Sequence, residues 1–165
     1  MIGAGAPEDY SRVMAYVTAE ARQQLLDAIA EAIDEIGVAL AALGEAYEQL
    51  DERTGDQLEE QLFRPVQGAY GRAGRTHSGF ADRHGLATRT FEAATPRAPS
   101  NGVKGFIDIA MQSVAKADHA LATLQDSMMP VEVGDAELRA GLSEVRRQLA
   151  DLPGRARQLV RIFGR

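Results

Sequence analysis

The chemistry open to this chain is set by three histidines, two lysines, many arginines and no cysteine. A carboxylate-bridged dimetal site in a helical bundle needs Glu-x-x-His on facing helices, so that carboxylates and imidazoles converge on two ions. Gly74, Ala81 and Lys116 stand three residues before His77, His84 and His119, so that chemistry is excluded. His77 and His84 are seven positions apart, about 10.5 Å along a helix, whereas one helix chelates a metal with histidines four apart. Both fall with Phe80 on one helical face and read as core or rim histidines, and His119 falls on a solvated face. Gly3-Ala4-Gly5-Ala6 opens like a dinucleotide fingerprint, but position 8 is Glu8 and no strand precedes it, so the phosphate-cradling turn cannot form. Absence of cysteine removes disulfides, thiolate metal sites and thiol nucleophiles together. No nucleophile can be paired with a base, so the sequence assigns no catalytic, cofactor or metal-binding residue.

One stretch invites a ligand. Gly68, Gly71 and Gly74, with Ala69 and Ala73, make one surface of a helix small, and Gly37, Ala41 and Gly44 give the preceding helix a matching surface. The spacing predicts close approach of the two helices. The alternative is a glycine-lined groove between them, with Tyr70 and His77 at its wall and Arg72 and Arg75 at its mouth, suited to an anionic or amphipathic small molecule. The segment around His77 also bears comparison with histidine phosphotransfer domains, but the lysine expected soon after the histidine is missing.

These residues must be positioned by helices. β-branched residues never alternate in the manner of a strand, and Ala, Leu, Glu, Gln and Arg favour helix. Pro7-Glu8-Asp9 opens the first helix, expected over 8–53, and from Ile29 its apolar positions (Ile33, Ile36, Leu40, Leu43, Tyr47, Leu50) recur at the heptad spacing of side-by-side helices. Thr54 or Asp56 is the expected cap of a second helix over 56–84, kinked near Pro65 and closed by Gly85-Leu86. A crossover loop follows over 87–100. The third helix (101–128) carries Val103, Ile107, Ala110, Val114, Ala117, Leu121, Leu124 and Met128. The fourth (136–163), capped by Asp135, carries Leu138, Leu142, Val145, Leu149, Leu152, Ala156, Leu159 and Phe163 in unbroken phase past Pro153, as a continuation kinked near Pro153 or as a fresh turn capped by Asp151.

The expected fold is all-α: an antiparallel up-down-up-down four-helix bundle of one domain over 7–165, preceded by a flexible N-terminus at 1–6. The first helix, about 69 Å if unbroken, is too long for its partners. Tyr10, Met14 and Val17 would then lie exposed, so a second copy or the 87–100 loop should cover them.

Charge alternates along the chain: residues 1–62 hold fourteen acidic side chains against three basic, and residues 136–165 hold seven basic against three acidic. Acidic positions Asp27, Glu31, Asp34, Glu45, Glu48 and Glu52 read as a solvated face. The basic, amphipathic tail from Arg155 needs its apolar residues for the seam, so neither nucleic acid nor a membrane surface is expected as partner. The longest oily run, Ile36–Leu43, is far below the about 18 residues of a span, and residues 1–7 lack the pattern of a signal peptide; a cytoplasmic protein is expected. The functional expectation is a non-enzymatic protein–protein interaction or scaffold bundle, with a protein partner or homodimer. The alternative is a carrier using the glycine-lined groove.

Overall fold

The computed structural model describes residues 6–94 and 96–163, except for the side chains of residues 6–10 and 14–17. Among the described residues every regular element is helical and no strand occurs. Five helices of twelve residues or more carry the fold: α1 (Ala6–Glu48), α2 (Arg64–His84), α3 (Gly102–Asp126), α4 (Ala136–Ala150) and α5 (Leu152–Phe163). Five helices thus replace the expected four rods. The fourth seam is carried by two of them, because Asp151 interrupts the helix and α5 starts afresh with Pro153 in its first turn, where a missing N–H costs nothing.

The expected up-down-up-down order is also corrected. Gly102, at the start of α3, lies against Gln49 just beyond the end of α1. At the other end, Arg83 near the close of α2 bonds Asp135 at the start of α4. Both α2 and α3 therefore run antiparallel to α1, parallel to each other, and the order is up-down-down-up with α5 continuing upward. α2 and α3 both flank α1 and α4, which stand at opposite corners. The crossover after Gly85 makes this order feasible by climbing back along α1: Arg89 pairs with Asp34 at 2.9 Å, and Ala93 packs on Gly37. The loop thus covers part of the second half of α1; the side chains of Tyr10, Met14 and Val17 lie outside the described residues.

Local signals explain most boundaries. α1 ends at Glu48, not 53, and Asp51 caps the short helix Glu52–Leu58 by accepting from Thr54 N–H at 2.8 Å. That bond holds the Asp51 carboxyl below its usual pKa. Neither Thr54 nor Asp56 is the cap. The expected kink near Pro65 is a π-helical turn, Glu59–Phe63, leading into α2. Proline has no N–H for the Gln61 carbonyl four residues back, and Arg155 Nη1 from α5 donates to that carbonyl at 3.4 Å. Gly85 is left-handed (φ 66°), with Leu86 N–H bonded to Ala81 O, the Schellman closure expected there. The link to α4 holds a one-turn helix, Met129–Val133, entered through left-handed Met128.

The core joins all five helices. The stripes of α3 and of α4–α5 are buried as read from the sequence from Ile107 to Leu124 and from Leu138 to Leu159. On α1 the expected Ile29, Ile33, Ile36 and Leu43 are buried together with Leu25, Leu26, Ala32, Ala39, Ala42 and Ala46, while Leu40 and Leu50 are only half-buried and Tyr47 is exposed. Alanines at these positions let α1 and α3, the most extensively packed pair, approach closely.

Candidate functional site

α2 presents two chemically different faces. Toward α1 and the crossover it turns Tyr70 and His77. The Tyr70 ring sits 3.4 Å from where a Cβ on Gly37 would lie, with Ala93 beside it. His77 is buried, and its ring meets Phe91 edge-on with centroids 5.0 Å apart. Arg89 stacks on the other aromatic partner, 4.6 Å from the Phe91 centroid, while bonding Asp34. Asp34, Arg89, Phe91 and His77 therefore form a strap tying the crossover to α1 and α2. Burial, then the Arg89 charge, pushes the His77 pKa below its ordinary value, and His77 Nδ1 has no hydrogen-bond partner. Burial and the nearby Asp34 raise Tyr70.

Toward α4 the same helix turns Arg72, Arg75, Thr76 and Arg83, which with Glu137 and Ala140 line an open notch of about 210 Å³. The five residues Tyr70, Gly71, Arg72, Arg75 and His77 thus do not line one groove between α1 and α2. Tyr70 and His77 lie under the strap, while Arg72 and Arg75 open on the α4 side. The expected glycine-to-glycine approach is likewise replaced. A Cβ on Gly44 or Gly74 would meet nothing within 4 Å, and Gly37 accommodates the Tyr70 ring. The close helix contact of α2 is with α4, where Gly141 leaves room for Thr76.

Between those helices, at the foot of the molecule, lies a buried carboxylate. Asp135 accepts from Arg83 Nε and Nη2, both at 2.9 Å, from His84 Nε2 at 2.9 Å, and from Leu138 N–H at 2.9 Å as cap of α4. Burial alone would raise its pKa, but the Arg83, Leu138 and His84 bonds outweigh it and hold the carboxyl at about 2. Arg83 also donates to Glu137 at 2.7 Å. Both oxygens of Asp135 are engaged, and the cluster joins α2 to α4. Across α3 and α4, Arg146 binds Asp118 and Gln125, so the arginines of α4 pair locally and with α3 rather than with the acidic face of α1.

A second opening of about 400 Å³ lies between the start of α3 and α5. Ile107, Met111, Ala156 and Val160 form its floor, and Lys104, Arg157 and Arg161 stand among its lining. Among the described residues no group of three His, Asp or Glu could hold a metal ion, and no helix is long and apolar enough to cross a membrane.

The strap residues Arg89 and Phe91 and the notch residues Thr76, Glu137 and Ala140 were not singled out by sequence reasoning, and Asp34 was read only as part of a solvated acidic face. For the strap's ion pair no local signal exists, since Arg89 and Asp34 are 55 residues apart. For the notch there was one: glycine precedes arginine by four positions at Gly68–Arg72, Gly71–Arg75 and Gly79–Arg83. The sequence matches no protein-family model, and comparison with curated proteins and with solved structures returns no match.

Proposed function

We propose that this protein is a non-catalytic interaction module whose partner element is the first part of α1, paired with the same segment of a second copy. One observation carries the reading: α1 begins at Ala6, yet among its described side chains the first buried one is Leu25. Residues 6–24 correspond to about 28 Å of helix, and the described side chains among them, 11–13 and 18–24, are exposed or half-buried. Isolated helices of that length are marginal in water and draw stability from packing. Tyr10, Met14, Val17 and Ala21 are spaced 4, 3 and 4 along the sequence, the heptad rhythm by which helices pair with their own kind. Val13, on this segment, is 60% exposed. A contact of like with like is isologous and closes at two chains.

The test is light scattering coupled to size exclusion over a range of concentrations, on the full chain and on a chain lacking residues 1–18. The full chain should dimerise and the shortened chain should stay monomeric with an unchanged thermal midpoint. A monomeric full chain at every concentration would defeat the reading.

A further inference from the structure

We propose that the notch between α2 and α4 is a binding site for a phosphate dianion, free or as a monoester, held by Arg72 and Arg75. The proposal is independent of the reading of α1. The lining is three arginines against one glutamate, and the charges already matched can be set aside. Arg83 is committed to Asp135 and Glu137. Arg147, on the neighbouring turn of α4, is committed to Glu144 through two bonds of 3.0 and 2.7 Å. That leaves Arg72 and Arg75 without an ion pair of their own: Arg72 acts on Glu144 only through its charge, and that carboxylate is bonded by Arg147. Arg72 Nε is buried and has no acceptor. A buried donor without an acceptor is costly, and doubly so on a cation; an anion entering the notch relieves it.

The backbone is cut to hold these groups in place. Long side chains on a helix lean over the preceding turn, toward the residue four positions back. At three arginines of α2 that residue is glycine, and at two of them, Arg75 and Arg83, the guanidinium settles into the space of the absent side chain, while Gly68, four before Arg72, faces the Gln148 amide. Arg75 Nη1 lies 3.3 Å from where a Cβ on Gly71 would be, and Arg83 Nη1 lies 3.0 Å from that point on Gly79. Each mid-helix glycine costs about 1 kcal/mol against alanine, so their recurrence ahead of arginine calls for a cause, and fixed guanidinium placement supplies one. Arg72 and Arg75 are three positions apart, with Cβ atoms about 5–6 Å from each other, close enough for both forks to reach one tetrahedral anion. Two guanidinium forks match a dianion with several acceptor oxygens better than a single carboxylate. At about 210 Å³ the notch falls below the roughly 300 Å³ at which pockets for drug-sized molecules begin, so the phosphate group enters and whatever bears it stays outside.

Calorimetric titration of the full chain with inorganic phosphate at constant ionic strength tests the site. The expected result is one phosphate per chain, with affinity weakened about tenfold or more in R72Q/R75Q and in A140E, which places a carboxylate in the notch. Circular dichroism melts check that both variants fold, and A140E carries the test alone if the double variant does not. Glycerol phosphate and vesicles of phosphatidylcholine with or without phosphatidic acid separate the sources. A free monoester as ligand gives binding of the former only, and a lipid headgroup gives recruitment to the phosphatidic acid vesicles that R72Q/R75Q abolishes. Absence of phosphate binding, or equal affinity in the intact chain and A140E, overturns the proposal.

Discussion

Asp135 concentrates more interactions than any other side chain described. Its carboxylate caps α4, receives two bonds from Arg83 and receives one from His84. Replacing it with asparagine removes the charge while keeping the shape. It should lower stability at pH 7 by about 2–4 kcal/mol, combining a weakened cap with a guanidinium deprived of its partner, read from the urea midpoint. The pH dependence follows from the direction of the shift. A carboxyl at about 2 in the folded chain, against 3.8 unfolded, contributes about 2 kcal/mol that is fully present above about pH 4 and lost as pH falls toward 2. D135N should lack that acid-side loss. The capping role of Asp135 was legible in the sequence, because Asp before an apolar-periodic run is a local signal. Its ties to Arg83 and His84 were not, because they bridge more than fifty residues.

At the scale of elements, Gly141 and Thr76 fix the distance between α2 and α4. A methyl group on Gly141 would overlap both the hydroxyl and the methyl of Thr76, and Thr76 is itself held by its bond to the Arg72 carbonyl at 2.8 Å. G141A should therefore destabilise by about 1–3 kcal/mol through overpacking, despite alanine's better helix propensity, and T76S should restore part of that loss by removing the methyl. Thermal unfolding of the single and double variants gives the comparison. Periodicity found the α3 and α4–α5 stripes because large apolar side chains mark them. On α1 it found Ile29, Ile33, Ile36 and Leu43, which are buried, but it took Leu40 and Tyr47 for core and passed over Ala32, Ala39, Ala42 and Ala46, because small side chains do not mark a stripe. At Asp151 the sequence left two readings open, a kinked continuation and a fresh turn, because the apolar phase continues from Leu149 to Leu152 and Ala156; the structure has the break.

For the whole molecule, chain direction was the feature periodicity could not supply. A crossover of about sixteen residues reaches roughly 53–58 Å when extended, and α2 with its 21 residues is about 32 Å long. The loop can therefore join neighbouring ends or climb the full height, and nothing in its composition chooses. The outcome rests on contacts remote in sequence, Arg89 with Asp34 and Ala93 with Gly37. The partition of the notch from the strap depends on that direction too, which is why the candidate groove residues separate onto two sides of α2.

Because the crossover climbs the outside of α1, the polypeptide consists of two helical hairpins, and its broadest seams, α1 with α3 and α2 with α4, run between them. Neither hairpin can bury its own apolar stripe. Severing the chain between Thr95 and Pro96 should yield two pieces, each poorly ordered alone, that recover full helicity when mixed one to one. Circular dichroism of the separate and mixed fragments would register that reunion, and the molecule would then serve as a split reporter whose signal depends on two strangers meeting.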